Sequence, residues 1–255
     1  MELSKKTSNR KYIVDSNAFL CENDVSFYLL GAYMTDGNIN DKKHHISFSI
    51  SSKDIDWIEL IRSIISPIKP IYISKRSEHY TFTVSDIDAM NWLISYGCTP
   101  RKSYNLELRK DIPIQYHRDF IRGLIDGDGC ISYAPYDKIK NGKTYHYMKT
   151  SMYLCSVSKI FLDTIKSMIP DTINCAVYNL GMHDSMIQGK IIHSTCDIYR
   201  LQFNDSNAKK LLQWLYYLDH KISMPRKNQK AQSIMAPSLG SAPRTSKLTA
   251  SHSTS

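Results

Sequence analysis

The chain has 255 residues, 42% hydrophobic and 22% charged, which is enough apolar material for a buried core and excludes a disordered chain. No apolar run approaches the ~18 residues of a membrane span, and no secretory signal follows the charged N-terminus, so we expect an intracellular protein, in the cytoplasm of a phage or bacterial host or in an organelle matrix. Lys and Arg outnumber Asp and Glu by 33 to 24, and the net charge of +9 favours a polyanionic partner.

The first half of the chain alternates helical and strand patterns. Asn23 or Asp24 can cap a helix that runs to Met34, and Gly37 is expected to end this helix in the left-handed conformation. Over residues 45–51 polar and apolar residues alternate, which predicts a half-buried strand. The next predicted elements are a helix over 54–65, strands over 71–75 and 80–84, and a helix over 86–96.

The second half repeats this series of elements. They are a helix over 118–128, strands near 130–134 and 146–155, a helix over 157–169, strands near 173–179 and 195–203, and a helix over 205–219. The order αββαββα, read twice, predicts an α+β fold in which each half is an antiparallel sheet backed by helices. The predicted halves span 12–110 and 111–230, and residues 231–255, rich in Ser, Thr, Ala and Pro, are expected to form a disordered tail.

Two glycine-containing segments indicate an internal duplication. Residues 29–37, LLGAYMTDG, align with residues 121–129, IRGLIDGDG. Three further segment pairs align in the same order and with growing separation: 61–65 with 165–169, 91–93 with 213–215, and 100–102 with 225–227. A duplicated unit with longer loops in its second copy gives this pattern, so we predict two pseudo-symmetric halves.

Small residues recur four apart in each segment, on one helix face, and would let the two helices pack closely. These residues are Gly31, Thr35, Gly123 and Gly127. Asp36 and Asp128 would then lie at adjacent helix C-termini, where the macrodipole disfavours a carboxylate by ~0.3–1 kcal/mol. A bound cation would remove this conflict, and magnesium typically takes one or two carboxylates with water and phosphate oxygens. For a single Asp-Gly pair, an ordinary turn after a helix is the alternative.

The paired segments resemble the two motifs of single-chain, pseudo-dimeric LAGLIDADG homing endonucleases, over about residues 12–230. The second copy, Gly-Leu-Ile-Asp-Gly-Asp-Gly, is close to the family pattern. The first keeps Leu29, Gly31, Asp36 and Gly37 but has Met34 where the family often has Asp. The resemblance implies two motif helices packed at the centre. It also implies a monomeric, site-specific endonuclease without an obligate protein partner, which cuts both strands of a long asymmetric DNA target and spreads a mobile intron.

The resemblance further implies that Asp36 and Asp128 each bind divalent metal at one scissile phosphate. Magnesium is the expected cofactor, manganese a substitute, and calcium an ion that binds without supporting cleavage. Bound metal would polarise the phosphate, generate hydroxide from water and stabilise the leaving 3′ oxygen. The family also places a basic residue beside each metal-bound water, and the repeated Pro-Arg-Lys offers Lys102 and Lys227 for this role. Phosphate anchoring or solvated surface charge is the alternative for each lysine.

Strands with a free polar face could lie in the DNA major groove, where polar side chains contact base edges. The candidates in the first half are Asn38, Asn40, Lys42, His45, Ser47, Ser49 and Arg76. Those in the second half are Ser132, Lys149, Ser151, Arg200 and Gln202. For each of them, solvent exposure without base contact is the alternative.

Two other functions are compatible with the same pattern. One is a maturase-like protein that binds intron RNA and assists splicing, and the other is a DNA-binding regulator that does not cut. The presence of both acids argues against an inactive site but leaves the maturase open. Preference for intron RNA over duplex DNA, judged by competition and salt dependence, would separate these functions.

Overall fold

The computed structural model describes residues 11–74, 78–100, 106–182, 185–187, 190–192 and 195–236, except the side chains of 185–187 and 190–192. Of the predicted site residues, Arg76 and Lys102 lie outside the described residues. None of the described helices is long and apolar enough to cross a membrane.

The first half follows the predicted order of elements, with one short additional helix at its start. They are α1 (Asn17–Leu20), α2 (Asp24–Thr35), β1 (Gly37–Asn40), β2 (His45–Ser51), α3 (Ile55–Ile65), β3 (Tyr72–Ile73), β4 (His79–Ser85) and α4 (Ile87–Ser95). Asn23 caps α2, since its side chain accepts a hydrogen bond from the backbone N–H of Ser26 at 3.0 Å. The strands form an antiparallel sheet in the order β1-β2-β4-β3.

The second half repeats the architecture with additions. Its elements are α5 (His117–Gly127), β5 (Cys130–Lys140), β6 (Lys143–Ser156), α6 (Lys159–Ser167), β7 (Ala176–Asn179), β8 (Ser185–Ile187), β9 (Lys190–Ile192), β10 (Tyr199–Asn204), α7 (Asp205–Leu215) and α8 (Pro225–Met235). Its sheet order, β5-β6-β10-β7, has the connectivity of the first sheet, while β8 and β9 pair as a separate hairpin. The α+β fold with two αββαββα halves is therefore confirmed.

The core lies between the helices and one face of each sheet. In β2 the predicted alternation holds, with Ile46, Phe48 and Ile50 buried and the intervening polar residues partly exposed. Helix α2 is buried on every side from Ser26 to Met34, so it lies at the centre of the molecule.

The predicted role of Gly37 is wrong. This residue begins β1 and does not end α2 in the left-handed conformation, and its φ is not positive. Instead, a Cβ atom added at Gly37 would lie 2.5 Å from the carbonyl oxygen of Tyr33. Glycine is required here because the chain turns back closely against α2.

The predicted boundary of the tail is also wrong. Helix α8 continues through residue 231 to Met235, and Ala231 and Ile234 are buried. These two apolar residues are three apart and share the helix face that packs on the protein. Residues 237–255 of the predicted tail lie outside the described residues.

Candidate functional site

Helices α2 and α5 meet through their glycines. A Cβ atom added at Gly31 would overlap the carbonyl oxygen of Phe120 and lie 2.9 Å from the nitrogen of Leu124. In the mirrored contact, a Cβ atom added at Gly123 would overlap the carbonyl oxygen of Tyr28. Each glycine therefore admits the backbone of the opposite helix, and this reciprocal contact follows the duplication of the sequence.

Asp36 and Asp128 lie at the C-terminal ends of these helices, as the C-cap residues of α2 and α5. The two ends are adjacent, because a Cβ atom added at Gly127 would meet the side chain of Thr35 and lie 2.8 Å from Oδ2 of Asp36. Asp36 is partly buried and Asp128 is exposed. The two carboxylates thus lie at adjoining helix ends, and each repeat contributes one acid.

Lys227 lies against the end of α5. Its Nζ donates hydrogen bonds to the carbonyl oxygens of Ile125, Asp126 and Gly129 at 2.7 Å and of Gly127 at 2.9 Å. The residue is only 7% exposed. The last carbonyls of a helix lack partners within the helix and carry the negative end of its dipole. The ammonium group therefore offsets part of the repulsion between a carboxylate and the negative end of this helix dipole.

The charge of Lys227 also acts on both acids. Burial lowers the pKa of its ammonium group, and the negative charges of Asp126, Asp36 and Asp128 oppose this shift. Lys227 is thus a buried positive charge close to the two C-cap carboxylates. Its contacts in the structure are with helix carbonyls, and its role beside a metal-bound water stays a prediction.

Asp126, the other acid of the second motif, is fully buried and links α5 to α2 and to the ends of α7 and α8. Its carboxylate accepts hydrogen bonds from the hydroxyls of Tyr28 at 2.7 Å and Tyr216 at 2.6 Å, and from the backbone N–H of Met224 at 2.7 Å. Burial raises the pKa of Asp126, although these hydrogen bonds oppose the shift. The first repeat has the buried Met34 in the equivalent position, so only the second motif supplies a buried acid here.

The two C-cap acids line different cavities. Asp36 borders a cavity of about 270 Å³ with Ser51 and His79 of the first sheet. Asp128 borders one of about 160 Å³ with Cys155 of the second sheet. Each cavity is completed by residues of the opposite half, so both depend on how the two halves pack.

An ion pair beside the Asp36 cavity was not predicted from the sequence. Arg226 donates from Nε to Oδ1 of Asp54 at 2.6 Å and from Nη2 to Oδ2 at 3.1 Å. The hydrogen bond from Arg226 to Asp54 raises the pKa of Arg226. The available signal is the repeated Pro-Arg-Lys itself, in which the family resemblance assigns a role to the lysine alone. In the structure the arginine links the second half to the start of α3 in the first.

The predicted DNA-contacting residues lie on the sheet faces turned away from the helices. On the first sheet, strand register places these on the open face: Asn38, Asn40, His45, Ser47 and Ser49. On the second sheet the corresponding set is Ser132, Lys149, Ser151, Arg200 and Gln202. Lys42 is exposed in the short turn between β1 and β2. All these side chains are exposed or partly exposed, as contact with a partner requires.

The donor set of the site fits magnesium. Asp36 and Asp128 offer hard carboxylate oxygens at adjoining helix ends, and magnesium takes one or two carboxylates while water and phosphate complete its shell. Within the described residues, no three His, Cys, Asp or Glu side chains form a metal-binding group.

Solved structures share this architecture. The LAGLIDADG meganuclease I-AabMI, bound to uncleaved DNA, matches with a TM-score of 0.51 at 13% identity, over 84% of this chain and 90% of its own. The meganuclease I-SmaMI, bound to uncleavable DNA, matches with a TM-score of 0.51 at 10% identity, over 84% and 88%. The chain has the LAGLIDADG fold. The resemblance of the repeated motif is thus confirmed at the level of the fold, while no family profile and no curated protein matches the sequence.

The repeated motif forms the two central helices of this LAGLIDADG structure. The duplication in the sequence is therefore the pseudo-symmetry of the fold, and the two Asp residues that it pairs are equivalent positions in the two halves.

Proposed function

We propose that the protein is a site-specific double-strand DNA endonuclease that hydrolyses one phosphodiester bond in each strand with divalent metal, and that it promotes the homing of a mobile intron. The observation that carries this proposal is the position of Asp36 and Asp128 at adjacent helix ends, one from each repeat. Two acids related by pseudo-symmetry suit the two strands of a duplex, which are related in the same way. Meganucleases of this fold have been solved on DNA.

The residues of the site have different roles in the proposed reaction. Magnesium held by Asp36 and Asp128 supplies Lewis acidity toward the scissile phosphates and lowers the pKa of water in the site. The nearby positive charge of Lys227 attracts both carboxylates. Gly31 and Gly123 set the separation of the acids, because they determine how closely the two helices approach.

Binding to the duplex is assigned to the open faces of the two sheets. Short polar side chains such as Asn38 and Ser47 can approach base edges in the major groove, and Lys and Arg can contact phosphates. The net charge of +9 attracts the DNA backbone. A monomer suffices, since one chain provides both acids and both sheets.

The test is cleavage of a supercoiled plasmid that carries the uninterrupted sequence of the gene's own insertion point. We expect linear product with magnesium and manganese, and binding without cleavage with calcium, an ion with which I-SmaMI was solved on uncleaved target. Asp36→Asn and Asp128→Asn should each abolish linear product, because each acid serves one strand. Asp171→Asn removes an exposed acid outside the site and should cut normally.

An intact plasmid under tight, salt-sensitive binding would overturn the nuclease proposal for that target. Competition by intron RNA would then favour the maturase-like function, and preference for duplex DNA the regulator.

A further inference from the structure

The hairpin of β5 and β6 extends beyond its sheet. These strands pair from Cys130 opposite Tyr153 out to Lys140 opposite Lys143, whereas β10 pairs with β6 only over residues 151–156. The outer part, residues 134–149, is therefore a two-stranded ribbon. The equivalent strands of the first half, β1 and β2, have only 4 and 7 residues.

One side of this ribbon is aromatic and basic. Its register places eight residues of 134–149 on one side. Five of them are hereafter the tyrosine face: Tyr136, Lys138, Tyr145, Tyr147 and Lys149. The three tyrosines are 49%, 43% and 51% exposed. Exposed aromatic rings gathered in this number on a soluble protein mark a surface for a partner.

The rings are arranged as flat surfaces with cations beside them. The rings of Tyr145 and Tyr147 are inclined by only 20°, with centroids 6.4 Å apart. The Nζ of Lys149 lies 5.4 Å from the centroid of Tyr136. The acid of these two strands, Asp137, lies on the opposite side of the ribbon, where its carboxylate bonds to His146 at 2.7 Å. The charge contributed by β5 and β6 to the tyrosine face is therefore positive and suits an anion.

A cavity of about 400 Å³ opens at the tyrosine face. It is lined by Tyr136, Lys138, Tyr147, Met148, Lys149 and Asp205. Its volume is within the range of small-ligand sites. The lining combines aromatic rings for stacking, ammonium groups for phosphate and, from Asp205 at the start of α7, a carboxylate that can accept from base N–H groups. Together these groups match the parts of one nucleotide.

We propose that the tyrosine face binds unpaired nucleotides of a single nucleic-acid strand. In a duplex the faces of the bases are covered by their neighbours and only the edges are accessible, whereas an unpaired base exposes its ring for stacking. The tyrosine face continues the open face of the second sheet, and Lys149 belongs to both. The open face of the first sheet carries Asn and Ser side chains suited to edges, while the tyrosine face offers rings. Bases stack on Tyr136 and Tyr147, and phosphates lie on Lys138 and Lys149. This binding does not depend on the cleavage proposed above.

The test is fluorescence anisotropy with labelled strands of about 12 nucleotides, a length that such sites cover. Single-stranded DNA, single-stranded RNA, an abasic DNA strand and duplex DNA are titrated with full-length protein and EDTA. We expect the strands with bases to bind more tightly than the abasic strand, and the DNA and RNA arms show which sugar is preferred. The double variant Tyr136→Ala/Tyr147→Ala should lose about 5- to 150-fold in affinity per stacked base.

Two controls make the result specific. Tyr136→Phe/Tyr147→Phe keeps the ring faces and should keep the affinity. Tyr133→Ala removes a ring, 42% exposed, from the opposite side of the same hairpin, next to the ribbon, and should bind as wild type does. Unchanged melting temperatures show that the variants fold, as expected for exposed positions.

Three results would overturn the proposal. They are equal affinity for the abasic strand, unchanged single-strand binding by the double alanine variant, and an equal loss of duplex binding in that variant. Asp36→Asn should retain single-strand binding, so a failed cleavage assay and a failed strand-binding assay point to different proposals.

Discussion

Replacing Lys227 with methionine would remove the ammonium group from the end of α5 while keeping a side chain of similar length. In the wild-type protein, Nζ donates to four carbonyl oxygens at 2.7–2.9 Å, so its three N–H groups are shared among four acceptors. Methionine offers no donor, and the carbonyls of a buried helix end would lose their partner. We therefore expect a large loss of stability from this single change.

The magnitude follows from two opposing contributions. Hydrogen bonds that involve a charged group contribute about 1.5–3 kcal/mol each, so the three N–H groups of Lys227 contribute roughly 5–9 kcal/mol. The desolvation of a buried charge offsets several kcal/mol of this, and methionine does not incur that cost. The expected net loss is about 3–5 kcal/mol, the usual result of removing one partner of a buried charged group. For a chain of this size the melting temperature should fall by about 6–20 °C.

Urea unfolding of the wild type, Lys227→Met and Lys230→Met would measure the effect. Lys230 is an exposed lysine of the same helix, so its replacement should change the free energy of unfolding by less than about 0.5 kcal/mol. Lys227→Met should lower the urea midpoint with an unchanged slope. If it unfolds like Lys230→Met but no longer supports cleavage, the lysine acts directly in the reaction and the structural reasoning is refuted.

Two further predictions concern the helix contact and an acidic transition. Gly123→Ala should lower the free energy of unfolding by about 1–3 kcal/mol or more, because the new Cβ overlaps the carbonyl oxygen of Tyr28, and an unchanged urea midpoint would contradict the close packing. The pKa of Glu22 is lowered, chiefly by the hydrogen bond from Tyr96 and also by Lys110, while burial opposes the shift. Its stabilising contribution is therefore full above the ordinary value of 4.5 and is lost as the pH falls through the lowered pKa. Glu22→Gln should reduce the loss of stability at acidic pH, measured as the melting temperature across the pH range. A pH profile identical to that of the wild type would show that Glu22 does not cause this loss.

The predictability of each element depended on whether one side of it is buried. Strand β2 was predicted without error because its alternating pattern reflects a buried and an open face. The hairpin of β5 and β6 was predicted too short, since both sides of its outer ribbon are exposed and impose no alternation on residues 134–149. Helix α8 was missed, although Pro225 at its first turn is a typical start signal, because the polar composition that follows also suits a tail.

The candidate site, too, was predicted from the sequence only in part. The repeat alone paired Asp36 with Asp128, because alignment of the two segments requires no knowledge of packing. It could not reveal that Asp126 is a buried acceptor for three donors, since those donors come from residues far away in the chain. Nor could it reveal the ion pair of Arg226 with Asp54, which joins the two halves.

The sequence by itself determined the duplication, the αββαββα order of each half, the pairing of the two acids and the small residues between the motif helices. These features are local or periodic, and each can be recognised from short stretches of the sequence. Only the tertiary structure decided what each polar group contacts, as in the four carbonyls around Lys227 and the rings gathered on the tyrosine face. Such contacts join distant residues at distances of a few ångströms, and neither periodicity nor composition specifies them.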